Sequence, residues 1–217
     1  VDFKDILLQL ANGAGHTVLV TVTCAAAGLL VGLAVAALRR LRLRGLVPLL
    51  DAYTYVFRGV PVLVLLFLVY FGLPGIGLKV PSLLAMVLSL GLVAGAYLSE
   101  VFRGALDSVD GSEILAAQSM GMTRLQVLRY IEFPQMIRLA VPGMLNEFTT
   151  VMKYSPFAYT VGIPEIMKQA TTLTAATLRG TEIYLAVGVL YFLIYRLLLV
   201  GVQALERRFH VPGLSAP

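Results

Sequence analysis

The chain has 217 residues, 59% of them hydrophobic and only 13% charged, and its mean hydropathy is +0.86. Soluble domains carry about 45–50% apolar and about 25% charged residues, so the composition speaks against a soluble fold and makes lipid the expected solvent. The formal charge of +5 does not describe a nucleic-acid binder, because the cations collect between apolar runs. The lone Cys24 excludes both an intrachain disulfide framework and a cysteine-based metal site.

At the start, Phe3, Ile6, Leu7 and Leu10 recur at helical spacing, with Asp2, Lys4, Asp5 and Gln9 on the other side. A short interfacial helix is expected. The uncharged run 18–38, at about 1.5 Å per residue, crosses a hydrocarbon core of about 30 Å and is the first span. Gly28 and Gly32 form a small-xxx-small pattern on it, the mark of close helix packing. Arg39, Arg40, Arg42 and Arg44 follow, then Leu49, Leu50, Tyr53 and Val56 beside Asp51, a pattern that suits a helix lying on the cytoplasmic surface.

A second span starts near Phe57 and stops at Gly72-Leu73-Pro74-Gly75. Pro81 and Ser82 open a third, which runs to about Val101 and ends beside Arg103 and Gly104. Residues 105–135 are polar and read as two short helices. A fourth, weaker span covers roughly 137–152 and is interrupted by Pro142, Asn146 and Glu147. Residues 153–182 are too polar to span, and the fifth span covers about 183–202. An all-α polytopic protein follows, with residues 1–217 forming a single transmembrane domain. Five spans put the termini on opposite sides, and the arginines near residues 39–44, 124–138 and 207–208 place the N-terminus outside and the C-terminus inside.

The polar middle segment, 110–134, has its own punctuation. Asp110 can cap a helix with Glu113 in the capping-box position, and Gly121 can end it in a left-handed conformation. Thr123 and Gln126 form a second capping box, opening a helix whose Leu125, Leu128 and Ile131 share a face before Pro134 stops it. Such a knob is either an ordinary cytoplasmic hairpin or a compact ridge offered to a soluble partner. A DNA-reading helix pair fails on charge, since the second helix presents Leu125, Gln126, Leu128 and Arg129.

Ala116-Ala117-x-x-x-Gly121, followed by Ile131-x-x-Pro134-Gln135, resembles the EAA loop of ABC-importer permeases, which docks into a cleft of the ATPase subunit. Phe57-Arg58-Gly59-Val60-Pro61, Ala96-Tyr97-x-x-Glu100-Val101-x-Arg103-Gly104 and Val161-Gly162-Ile163-Pro164-Glu165-Ile166 resemble signatures of the polar amino acid branch of that family. Two positions depart from it. The motif's glutamate falls on Leu115, and Lys153-Tyr154-Ser155-Pro156-Phe157 stands where the family commonly has Lys-Asp-Thr-Ser-Leu.

The resemblance implies a type I importer permease in the bacterial cytoplasmic (inner) membrane, carrying an amino acid or similar small polar solute. Its partners would be a cytoplasmic ATP-binding subunit, a second permease (identical or paralogous) and an extracytoplasmic solute-binding protein, within the lipid bilayer and without nucleic acid. ATPase coupling would fall to Glu113, Ala116, Ala117, Gly121, Thr123 and Pro134.

Ionisable groups in spans cost several kcal/mol unless paired or wet, so Glu100, Glu147 and Lys153 need partners. Glu147, Thr150 and Tyr154 share a helical stripe, with Asn146, Thr149 and Lys153 beside it. With Tyr97 they form either a polar wall of the translocation pathway or a structural pairing at a dimer interface. Glu100 with Arg103 reads as an end-of-span pair, and Arg58 and Arg196 as interfacial anchors. His16 and His210 are isolated, so no metal site is expected. No activated nucleophile, phosphate-binding glycine loop or Walker lysine occurs, so ATP hydrolysis is assigned to a separate subunit and no cofactor is expected. An ion-coupled carrier or channel is the rival reading, but five spans without an evident inverted repeat fit it poorly.

Overall fold

The computed structural model describes the backbone of residues 3–41 and 45–209, and side chains as far as Gly201. Arg42, Arg44 and His210, and the side chains of Arg207 and Arg208, lie outside the described residues. All regular structure among the described residues is helical.

α1 (Phe3–Ala11) buries Ile6 and Leu10, the face its sequence period indicates. α2 (Ala14–Arg40) follows and is the first long apolar helix. Its Gly28 and Gly32 meet α6 (Leu92–Asp107) so closely that a Cβ on either would lie 2.8 Å from the Cβ of Ala94 or Leu98. The small-residue stripe is therefore what lets two backbones approach in a solvent that offers no hydrophobic drive between helices.

α3 (Leu46–Gly59) leads to α4 (Val62–Phe67), and the helix continues through a π-turn and a 3-10 turn to Ile76. The chain bends by 104° at the break between them. Pro61 has no N–H to continue α3 and pushes Val60 into extended backbone, with ψ of 131°. The second span is thus preceded by a separate oblique helix. On that helix Leu50 and Thr54 are buried against the other helices, while Leu49, Tyr55 and Val56 are exposed.

α5 (Ser82–Met86), a π-turn and α6 make one helix, Ser82–Asp107, the second long apolar one. α7 (Gly111–Ser119) and α8 (Arg124–Val127) form the hairpin, and α9 (Phe133–Tyr154) returns along α6. Gly143 of α9 sits where a Cβ would lie 2.6 Å from Val101. α10 (Ile166–Thr177) is short, and α11 (Gly180–Phe209) closes the chain.

Among the described residues three helices are long and apolar enough to cross a membrane, and four if the bent pair counts as one span. α9 does not pass, because Arg138, Asn146, Glu147 and Lys153 dilute it. The two elements whose span character is weakest are therefore the ones that carry a break or a stripe of polar and ionisable side chains.

Three apolar clusters hold the fold. One joins Val20, Cys24, Leu66, Met86 and Leu90 to Val151 and Val161. A second joins Ala36, Leu98, Phe102 and Leu106 to Leu128, Met136 and Ala140. The third packs α1, α10 and α11 around Ile6, Leu10, Ile166 and Ile183. There the fully buried Glu165 caps α10, accepting from the N–H groups of Met167 at 2.9 Å and Lys168 at 2.8 Å and from the Tyr191 hydroxyl at 2.7 Å. A buried carboxylate persists only with such a full set of donors.

Arg39 ties together α2, α3 and α6. It pairs with Asp51 of α3 at 2.7 Å and with Glu100 of α6, and donates to the Thr54 hydroxyl at 2.7 Å. Arg103 closes on Glu100 at 2.9 Å, the end-of-span pair read from the sequence.

Candidate functional site

Two regions gather the residues singled out above. The first is the hairpin between α6 and α9. The Asp110 carboxylate accepts from the Ser112 N–H at 2.8 Å, and that bond holds its carboxyl below the usual carboxylate range. Gly121 has φ of +83°, its N–H bonds Gln118 O at 2.9 Å, and Met122 N–H bonds Ala117 O at 3.2 Å. This is the left-handed close expected of a helix ending in glycine. Thr123 and Gln126 form a complete capping box, with Gln126 Oε1 2.8 Å from the Thr123 N–H.

Two sequence expectations for the hairpin are corrected. Glu113 does not complete a box with Asp110; its carboxylate instead accepts from Gln135 Nε2, tying α7 to the start of α9. Pro134 does not stop a helix. Residues Leu128–Glu132 widen into a π-turn, and Pro134 falls in the first turn of α9. A proline there lacks only a donor that the changed hydrogen-bond register already leaves over, so the helix runs on.

Ala117 is buried inside the hairpin while Ala116 is exposed. Around them Leu115, Met120, Leu125 and Tyr130 stand out, each at least 61% exposed. Large apolar side chains exposed on a capped knob are candidates for cover by a partner.

The second region lies where the α3–α4 break meets α6 and the end of α9. A cavity of about 240 Å³ is lined by Arg58, Pro61, Tyr97 and Tyr154 among others. The Arg58 guanidinium sits 5.1 Å from the centre of the Tyr97 ring, and its charge reaches Glu147 on α9. Glu147 is half-buried, and no hydrogen bond or ion pair engages it among the described residues. Asn146 is exposed and its carbonyl accepts from Thr150 Oγ1 at 3.0 Å, so that hydroxyl is spent on its own helix.

The structure thus brings Tyr97 and Tyr154 to one cavity. Glu147 stands near it, and Lys153 is turned toward α11, 5.9 Å from the Tyr195 ring. Arg58, read from the sequence as an anchor, also lines this cavity, just before the Val60-Pro61 break.

Apolar helices joined by a capped hairpin, with a cavity lined by Arg58, Tyr97 and Tyr154 between them, are in keeping with a membrane transport subunit. Residues 28–211 match the family of binding-protein-dependent transport system inner membrane components. The chain belongs to that family: it is the membrane-spanning subunit of an ABC importer, a multi-pass protein of the inner membrane whose family works with an ATPase and a binding protein.

Among its relatives, the probable amino-acid permease protein YxeN of Bacillus subtilis is 37% identical over 184 residues, covering 83% of this chain and 82% of its own length. The histidine/lysine/arginine/ornithine transport system permease protein HisQ of Escherichia coli is 33% identical, covering 96% and 95%. A crystal structure of an amino acid ABC transporter with histidines superposes with a TM-score of 0.84 at 30% identity, covering 96% of this chain and 99% of that one. The methionine transporter MetNI, in an inward-facing conformation, shares the fold at a TM-score of 0.79 and 20% identity, with 95% and 99% covered.

Proposed function

We propose that this chain forms the translocation pathway for an amino acid or similar small polar solute in a bacterial importer. The spans are five: α2, α4 with its continuation to Ile76, Ser82–Asp107, α9 and α11. The N-terminus lies outside and the C-terminus inside. α9 is 22 residues long, which at about 1.5 Å per residue suffices to cross a core of about 30 Å despite its polar stripe. That stripe is tolerated where it faces a cavity or a neighbouring subunit and not lipid.

Residues 110–134 are the coupling segment, and Glu113, Ala116, Ala117, Gly121, Thr123 and Pro134 shape it. Tyr97, Asn146, Glu147, Thr150, Lys153 and Tyr154 lie along the pathway, with Arg58 added to them. A second permease, identical or paralogous, completes the pathway, two ATP-binding subunits drive it, and an extracytoplasmic binding protein delivers the solute. ATP binding biases the ATPase pair toward its closed form, and the hairpin passes that bias to the spans.

The observation that carries this reading is the hairpin: capped at both helix starts, closed by Gly121 and exposing Leu115, Met120 and Leu125 between two spans. Purification of the tagged chain from membranes tests it. A nucleotide-binding subunit should co-purify, and the reconstituted complex should take up labelled glutamine, histidine or arginine only with ATP. Uptake driven by an ion gradient without any ATPase would instead make the chain a secondary carrier.

A further inference from the structure

The hairpin is fastened to the spans at one charged joint. Arg40, the last residue of α2, donates through Nε to Glu132 Oε1 at 2.7 Å and also through Nη2. Its Nη1 reaches Asp107 Oδ1 at 3.2 Å, and Nη2 the Leu106 carbonyl at 3.5 Å, at the end of α6. One guanidinium therefore ties together α2, α6 and the π-turn that leads from the hairpin into α9.

The position of Glu132 matters. Its side chain is only 5% exposed, and Arg40 is the one cation paired with it among the described residues. It is the last residue of the π-turn Leu128–Glu132. π-turns are poorly bonded and recur at functional sites, so this is where a push on the hairpin would otherwise be lost as local bending. Beside the joint, Arg40, Ile114, Gln118, Arg124, Val127 and Glu132 line a cavity of about 230 Å³. On that side the hairpin is not packed solidly against α2, which leaves the ion pair as the stiff connection there.

We propose that Arg40 and Glu132 are the transmission joint of the importer: positioning residues that carry hairpin displacement into α2 and α6. Because a buried carboxylate left without its cation is strongly disfavoured, the pair moves as a unit. Arg39, one residue earlier, serves the resting frame instead, since its partners are Asp51, Thr54 and Glu100 and none lies in the hairpin. The inference rests on the importer reading and assigns to it the residues that couple the two motions.

The test uses the complete complex with its co-purified ATPase in vesicles, measuring ATP hydrolysis, uptake of labelled amino acid and their ratio. Arg40→Gln should keep bound ATPase and hydrolysis near native while solute moved per ATP falls about tenfold, a typical size for a coupling change. Arg40→Lys should fall between Arg40→Gln and the native chain, since a lysine keeps the charge but not the fork. The reversed pair, Arg40→Glu with Glu132→Arg, should recover part of the ratio lost by either single change.

An unchanged ratio overturns the proposal, whether uptake and hydrolysis both stay native or both fall with loss of assembly. If Arg40→Gln does not accumulate, Arg40→Lys and Glu132→Gln decide by the same ratio. If the native chain binds no ATPase, the importer reading itself fails, and that outcome is distinct from the others.

Discussion

Gly121 is the residue whose backbone leaves least choice. At φ of +83° a β-branched side chain is strongly disfavoured, at about 1–3 kcal/mol, so Gly121→Val should open the hairpin. Co-purified ATPase and substrate-stimulated hydrolysis should drop together while membrane insertion stays normal; full retention of both would return the segment to a plain cytoplasmic hairpin. Ala117 acts from inside. Being 6% exposed, it would place a carboxylate into the hairpin's packing in Ala117→Glu, whereas an enlarged Ala116 would change only the hairpin's exposed surface. Leu115→Glu restores the acid common in the family at an exposed position and should leave docking intact or stronger. Glu147 poses a different question. Glu147→Gln should impair uptake and leave complex assembly unchanged, measured as solute flux against recovered ATPase; unchanged flux with lowered thermal stability would mark the carboxylate as structural.

At the scale of elements, close approach and capping decide which helices hold. Gly32→Val on α2 would force a Cβ to within 2.8 Å of the Leu98 Cβ, so α2 and α6 must separate. Overpacking of this kind costs about 1–3 kcal/mol, and the detergent-solubilised chain should melt earlier in a thermal scan. The same change at Gly15, which has open space around it, should do little, and equal losses at both would remove the packing argument. Thr123→Ala removes the cap of α8 and should cost about 1 kcal/mol, read as faster proteolysis of the hairpin with the spans protected.

For the whole molecule the outstanding matter is orientation. In a Cys24→Ala background, Lys79→Cys should label only from outside and Ser119→Cys only from the cytoplasmic side; the opposite pattern would reject the five-span arrangement with an outer N-terminus. Both positions are exposed, so access and not burial limits the reaction.

The sequence by itself determined what depends on neighbours a few residues away. The apolar runs 18–38 and 83–101, the caps at Asp110 and Thr123, the left-handed Gly121 and the small-residue stripe of α2 are all readable, because hydropathy, capping and glycine geometry act within one or two helical turns. Local chemistry misled where register or distance intervened. Pro134 signals a stop, yet the π-turn before it removes the conflict; Glu113 sits in a capping-box position, yet finds Gln135, 22 positions on. The arginines at 39 and 40 read as charge on the inner side of a membrane, a reading silent on their pairing with Glu100 and Glu132, 61 and 92 positions away. Only tertiary structure could decide those pairs, or turn Arg58 toward Tyr97 and Lys153 toward Tyr195, because a charged side chain takes whichever partner packing brings within reach.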